Sequence, residues 1–131
     1  MSKETIKTNS YTLDTLVNIN QFPVPRIIKI DTEGAESLVI NGGEKTIIPR
    51  NTDFIVCEWN GFASNMSNLR KKMLSKGYQT FLFDANDKFP KFIPPNLEIR
   101  SKYVFNILFT SIEKLSNIWE YTEPYIEGVI E

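Results

Sequence analysis

Two apolar runs of strand length, Ile27-Ile28-Lys29-Ile30 and Phe54-Ile55-Val56-Cys57, each stop abruptly at a carboxylate, Asp31 and Glu58. The segment between them carries Ala35, Leu38, Val39 and Ile47 near helical spacing, with Asn41-Gly42-Gly43 as a weak point inside or just past the helix and Pro49 as its stop. Strands separated by a helix-length crossover pair in parallel, because only a tight turn returns the chain antiparallel. The pattern therefore predicts an α/β sheet, with a first strand over residues 26–30. It continues downstream: Phe62, Met66, Leu69 and Met73 line one face of a helix closed by Gly77, residues 78–83 read as a third strand, and residues 103–110 as a fourth. Residues 84–97, with Pro90, Pro94 and Pro95, read as a loop. At the front, Thr12 caps a short helical turn. At the back, the capping box Thr110-Ser111-Ile112-Glu113 predicts an amphipathic helix reaching about Glu120, with Ile112, Leu115 and Trp119 on one side.

Composition narrows the chemistry. At 131 residues the chain makes one domain, with a core over residues 11–110 and a helical extension over 111–131. Fifteen basic against sixteen acidic residues leave a net charge of −1, which gives no electrostatic footprint for nucleic acid. The single cysteine, Cys57, excludes an internal disulfide and a multi-cysteine zinc site, and it reads as a small core residue of its strand. The absence of histidine removes every mechanism with a His base, so chemistry rests on carboxylates, Lys, Tyr or a cofactor. With no bilayer-length apolar run and no apolar leader, a cytoplasmic location is expected.

Open α/β sheets bind ligands just outside the C-terminal ends of their strands, so Asp31 and Glu58 mark the expected site. Around the first, Asp31-Thr32-Glu33-Gly34-Ala35-Glu36 places three carboxylates where a strand turns into a helix. A purely structural account also fits: Asp31 or Thr32 caps, Glu33 and Glu36 complement the helix dipole, and Gly34 permits the turn. A helix starting near Thr32 would offer free backbone N–H groups to the same edge. Trp59, Phe62 and Tyr78 read as packing more than as an acceptor platform, and Arg70-Lys71-Lys72 as the solvated face of its helix. Lys29 reads as a snorkelling side chain in a salt bridge to a neighbouring strand.

Four blocks, Thr12-Leu13-Asp14, residues 27–36, residues 39–44 and Ile55-Val56-Cys57-Glu58, resemble in order and spacing the FkbM family of S-adenosylmethionine-dependent methyltransferases, over residues 11–110. The resemblance implies the second half of a class I (Rossmann-like) methyltransferase fold, a mostly parallel sheet with one antiparallel strand and four core strands, and methyl transfer to a sugar or secondary-metabolite hydroxyl. It implies catalytic roles for Asp31, Glu33 and Glu58, cofactor contacts from Asp31 and Gly34, and substrate contacts from Glu36, Trp59 and Asn60. By analogy with magnesium-dependent relatives of the fold, Asp31, Glu58 and Asn60 could hold Mg²⁺. The family's Gly-rich cofactor loop, which follows its first strand, has no counterpart, since Gly42-Gly43 follows a helix. The chain alone is thus expected to be inactive and to be completed by a separate cofactor-binding half or a second copy, through the outer edge of the strand at 27–30 unless the N-terminal segment covers it. A non-catalytic remnant or interaction module, and a metal- or glycan-binding domain, are the competing readings.

Overall fold

The computed structural model describes residues 3–60, 66–83, 89–99, 104–113 and 115. The elements run α1 (Leu13–Asn18), β1 (Ile27–Ile30), α2 (Glu36–Asn41), β2 (Phe54–Asn60), α3 (Met66–Ser75), β3 (Gln79–Phe83), β4 (Lys91–Ile93) and β5 (Val104–Thr110). The five strands form one sheet in the order β1-β2-β5-β3-β4.

The architecture is α/β, but the sheet is not mostly parallel. Only β1 and β2 pair in parallel; β2–β5, β3–β5 and β3–β4 are all antiparallel. The reason is topological. β2 and β3 run the same way, as their helical crossover α3 demands, but β5 inserts between them in the opposite sense and converts one parallel contact into two antiparallel ones. The expected count of four strands also falls short. Residues 84–97, read as a loop because of their prolines, contain β4, whose Phe92 pairs with Phe81 and packs its ring at 5.4 Å from that of Phe81. Pro90 and Pro94 flank β4 without entering it, where a missing N–H is tolerated.

The helices gather on one face of the sheet. Ile30, Ile55, Cys57, Trp59, Leu82, Ile93, Ile107 and Phe109 form a single buried cluster with Ile40 of α2 and Met66, Leu69 and Met73 of α3, and Leu13 of α1 packs against it. β2 lies between two partners, and its alternating burial shows which face meets the helices: Ile55, Cys57 and Trp59 are buried, while Val56, Glu58 and Asn60 on the other face are half-buried.

Local chemistry sets the element ends. Thr12 caps α1 by accepting from the Thr15 N–H at 3.1 Å. α2 is shorter than the apolar spacing predicts, because Gly42 and Gly43 open a turn closed by the Ile47 N–H donating to the Gly43 carbonyl at 2.7 Å. Asp14 holds that turn from outside, accepting from the Lys45 N–H at 3.0 Å, the Thr46 N–H at 2.8 Å and the Thr46 hydroxyl at 2.7 Å. The hydrogen bonds hold its carboxyl below the usual range in spite of partial burial. Gly77 ends α3 at φ +96°, the left-handed geometry a glycine adopts without strain. Arg70 departs from the expected solvated face: it is buried, and its guanidinium donates to Thr80 Oγ1 and to the carbonyls of Ile93, Pro94 and Leu97. It ties α3 to the segment after β4, a tertiary contact that helical periodicity does not encode. Lys72 does face solvent and pairs with Glu44.

β1 is the outermost strand, and no described segment pairs with its free side. Ile27, at the start of β1, is 68% exposed. At the other end, the Ile112 N–H donates to Thr110 Oγ1, two residues on rather than the three of the expected capping box, and the Leu115 N–H donates to the Ile112 carbonyl. Residue 114 and the residues from 116 onward, Trp119 included, lie outside the described residues, as does Phe62.

Candidate active site

Register brings the two acids together. Ile30 pairs with Cys57 in the parallel ladder, so Asp31, the first residue past β1, stands beside Glu58. β2 does not stop at that acid as expected but runs on to Asn60, because Glu58, Trp59 and Asn60 continue the antiparallel ladder with β5. Burial, then the charges of the neighbouring Asp31 and of Glu36, push the Glu58 carboxyl above the usual range, with the Lys29 ammonium opposing.

Around the pair the sheet presents a polar row. Glu58 faces Asn106 across the β2–β5 ladder, and Lys29 donates to Asn106 Oδ1 at 3.1 Å. Asn60, two residues beyond Glu58, shares its face by strand alternation. The expected salt bridge from Lys29 to a neighbouring strand is not found among the described residues: its partner is the Asn106 amide on β5, one strand beyond β2.

The turn after β1 is built by Glu36. Glu33 at φ +52° and Gly34 at φ +113° reverse the chain through left-handed geometry, which glycine adopts freely and glutamate only when held. Glu36, only 1% exposed, holds it: Oε1 accepts from the Thr32 N–H and hydroxyl at 3.2 and 3.1 Å, and Oε2 from the Gly34 N–H at 3.0 Å. Burial opposes the charge of Glu36, and these donors, with its own N–H, outweigh burial and keep the carboxyl below the usual range.

These contacts redistribute the expected roles. Asp31 and Glu33 are exposed at the edge and Glu58 is half-exposed, so all three are accessible. Glu36, expected to meet substrate, is withdrawn from solvent and spent on the turn. The N–H groups expected to be free at this edge are the ones it binds, and α2 begins only at Glu36 itself. The Gly34 N–H is likewise taken, although a Cβ at Gly34 would meet nothing within 4 Å and its outer side stays open. Trp59 is not an exposed platform: it is 2% exposed and stacks on Phe105 with ring centroids 6.1 Å apart. Cys57 is buried, and burial pushes its thiol up to about 12, so it is no nucleophile.

Among the described residues no three acidic, His or Cys side chains surround a common point. Asp31, Glu58 and Asn60 bring two carboxylates and an amide to this end of the sheet, oxygen donors of the type Mg²⁺ takes. No helix of the described residues is long and apolar enough to cross a membrane.

A family model, the methyltransferase FkbM domain, matches residues 1–80, from the N-terminal segment through the start of β3. The match takes in Asp31, Glu58 and the turn built by Glu36, and it stops short of β4 and β5. No curated protein and no solved structure matches the chain.

Proposed function

We propose, for a chain that belongs to the methyltransferase FkbM domain family, that it forms the C-terminal half of an S-adenosylmethionine-dependent O-methyltransferase acting on a hydroxyl of a sugar or secondary metabolite. The observation that carries this reading is the Asp31–Glu58 pair at the end of the only parallel strand pair of the described sheet. The strand order supports it: β1, β2 and β3 share a direction with β5 reversed between the last two, the arrangement of the far half of a Rossmann-like methyltransferase sheet.

When bound, S-adenosylmethionine supplies the electrophilic methyl group. Of the described residues, Asp31 fits its cationic methionine end as an exposed carboxylate, and the open side of Gly34 lets a ligand approach the turn. No described strand is followed by a Gly-rich loop, so the nucleoside is held by a separate cofactor-binding half, and the open side of β1 is where such a half would attach. Glu58 is the general base: its raised carboxyl, with Asp31 beside it, takes the proton of the acceptor hydroxyl as the oxygen is methylated. Glu33, exposed next to the pair, orients the acceptor. Glu36 holds the turn that presents Asp31.

The test is methyl transfer from labelled cofactor to hydroxylated acceptors by the chain joined to a cofactor-binding half. A base must be deprotonated, so the rate should fall with decreasing pH on a limb lying above the ordinary carboxylate range, and Glu58→Gln should remove that limb along with most of kcat. Full activity in Glu58→Gln would refute the assignment. The chain alone should bind the cofactor negligibly; micromolar affinity would refute the half-site reading.

A further inference from the structure

The sheet face opposite the helices changes character along its strands. Phe81 and Leu108, paired across β3 and β5, are buried on this face and stand outside the helix-side cluster. Two residues further, toward the end of the sheet that carries Asp31 and Glu58, the cover is lost: Phe83 is 44% exposed and Val104 53%.

Register sets these two apolar side chains in line with the candidate active site. Phe83 pairs with Asn106, and Asn106 with Glu58, so the three stand in one row on one face of β3, β5 and β2. Val104, two residues before Asn106 in β5, shares that face. Glu58 and Asn106 are half-exposed. Asn106 Oδ1 accepts from Lys29 Nζ at 3.1 Å, which leaves its amide N–H₂ as a donor in the middle of the row.

Exposed apolar side chains scattered singly need no explanation, but here two of them continue a carboxylate and an amide into one amphipathic strip. Two strand spacings separate Glu58 from Phe83, roughly 10 Å, the reach of a hydroxyl group on about two fused rings. A sugar would lay hydroxyls against Phe83 and Val104, where they find no partner, whereas a flat ring system covers both. We propose that this strip is the acceptor-binding surface and that it selects a hydroxylated aromatic or fused-ring compound over a sugar, with the hydroxyl at Glu58, a hydrogen bond from the Asn106 amide, and the rings on Phe83 and Val104. That the bound compound is a methyl acceptor rests on the proposed function; the binding itself does not.

The test uses ¹H–¹⁵N spectra of the full chain titrated with 2-naphthol and, separately, with methyl glucoside. Saturable shifts of the Asn106 side-chain amide and of the Phe83 and Val104 backbone signals are expected with 2-naphthol and not with the glucoside. Phe83→Ser and Val104→Ser, both at exposed positions, should each weaken binding about fivefold, while Ile19→Ser, at an apolar position 73% exposed at the end of α1, should leave it unchanged. Signals that 2-naphthol does not move, an equal response to the glucoside, or a titration unchanged in both Phe83→Ser and Val104→Ser would overturn the proposal. A failure of methyl transfer in the chain joined to a cofactor-binding half, with 2-naphthol still bound at these residues, would instead count against the proposed function and leave the strip as a binding surface.

Discussion

Removing the Glu36 carboxylate should loosen the turn that presents Asp31, and the cost can be worked from its contacts. Three donors, the Thr32 N–H, the Thr32 hydroxyl and the Gly34 N–H, lose their acceptor in Glu36→Ala. Thr32 and Gly34 are exposed, so water recovers part of each bond and the loss sits near the low end for charge-assisted hydrogen bonds, about 1 kcal/mol per donor. The expected destabilisation is about 3 kcal/mol. Glu36→Gln keeps the shape and one carbonyl oxygen but turns an N–H₂ toward one of the donors, for about 1 to 2 kcal/mol. The sign with pH follows from the lowered carboxyl: the contribution of Glu36 is fully present above the ordinary glutamate value of 4.5 and is lost as pH falls through the lower folded value. Urea unfolding followed by circular dichroism at neutral pH and near pH 3 measures both. The difference between wild type and Glu36→Ala should shrink at the lower pH. A difference under about 0.5 kcal/mol at neutral pH would show that the turn holds itself and that Glu36 is free for another task.

Gly43→Ala should destabilise by about 1 to 3 kcal/mol in the same assay, since the new Cβ would stand 2.7 Å from Ile47 Cδ1 and 3.0 Å from Leu13 Cδ2; a neutral effect would mean that α1 shifts freely. Asp14→Ala should cost about 2 kcal/mol through three lost hydrogen bonds to the turn after α2. Because the Asp14 carboxyl is lowered, its stabilisation holds above the ordinary aspartate value of 3.8 and disappears as pH falls below it, so acid unfolding of Asp14→Ala and wild type should converge there. Cys57, buried with its thiol raised to about 12, should resist an aromatic disulfide reagent in the native protein and react in denaturant; rapid native labelling would show that β2 opens readily.

Residues close in the chain made most of this fold legible. The two apolar runs followed by acids, with a helix-length crossover between them, settle that β1 and β2 are parallel neighbours and that Asp31 and Glu58 stand side by side, because strand direction follows from local pattern and chain connectivity, whereas the continuation of β2 to Asn60 depends on β5. What the sequence left open depends on partners distant along the chain. β5 enters between β2 and β3 to pair with both, making the sheet mostly antiparallel, and no local periodicity encodes which strands a late segment separates. Arg70 looks like one of three surface cations until the carbonyls of residues 93–97 arrive to receive it. Glu36 could as well have met a ligand as closed a turn. Its fate was decided by the left-handed pair Glu33 and Gly34, which brings the donors back onto its carboxylate, and by burial, which leaves a charged group no stable option but to be fully bonded.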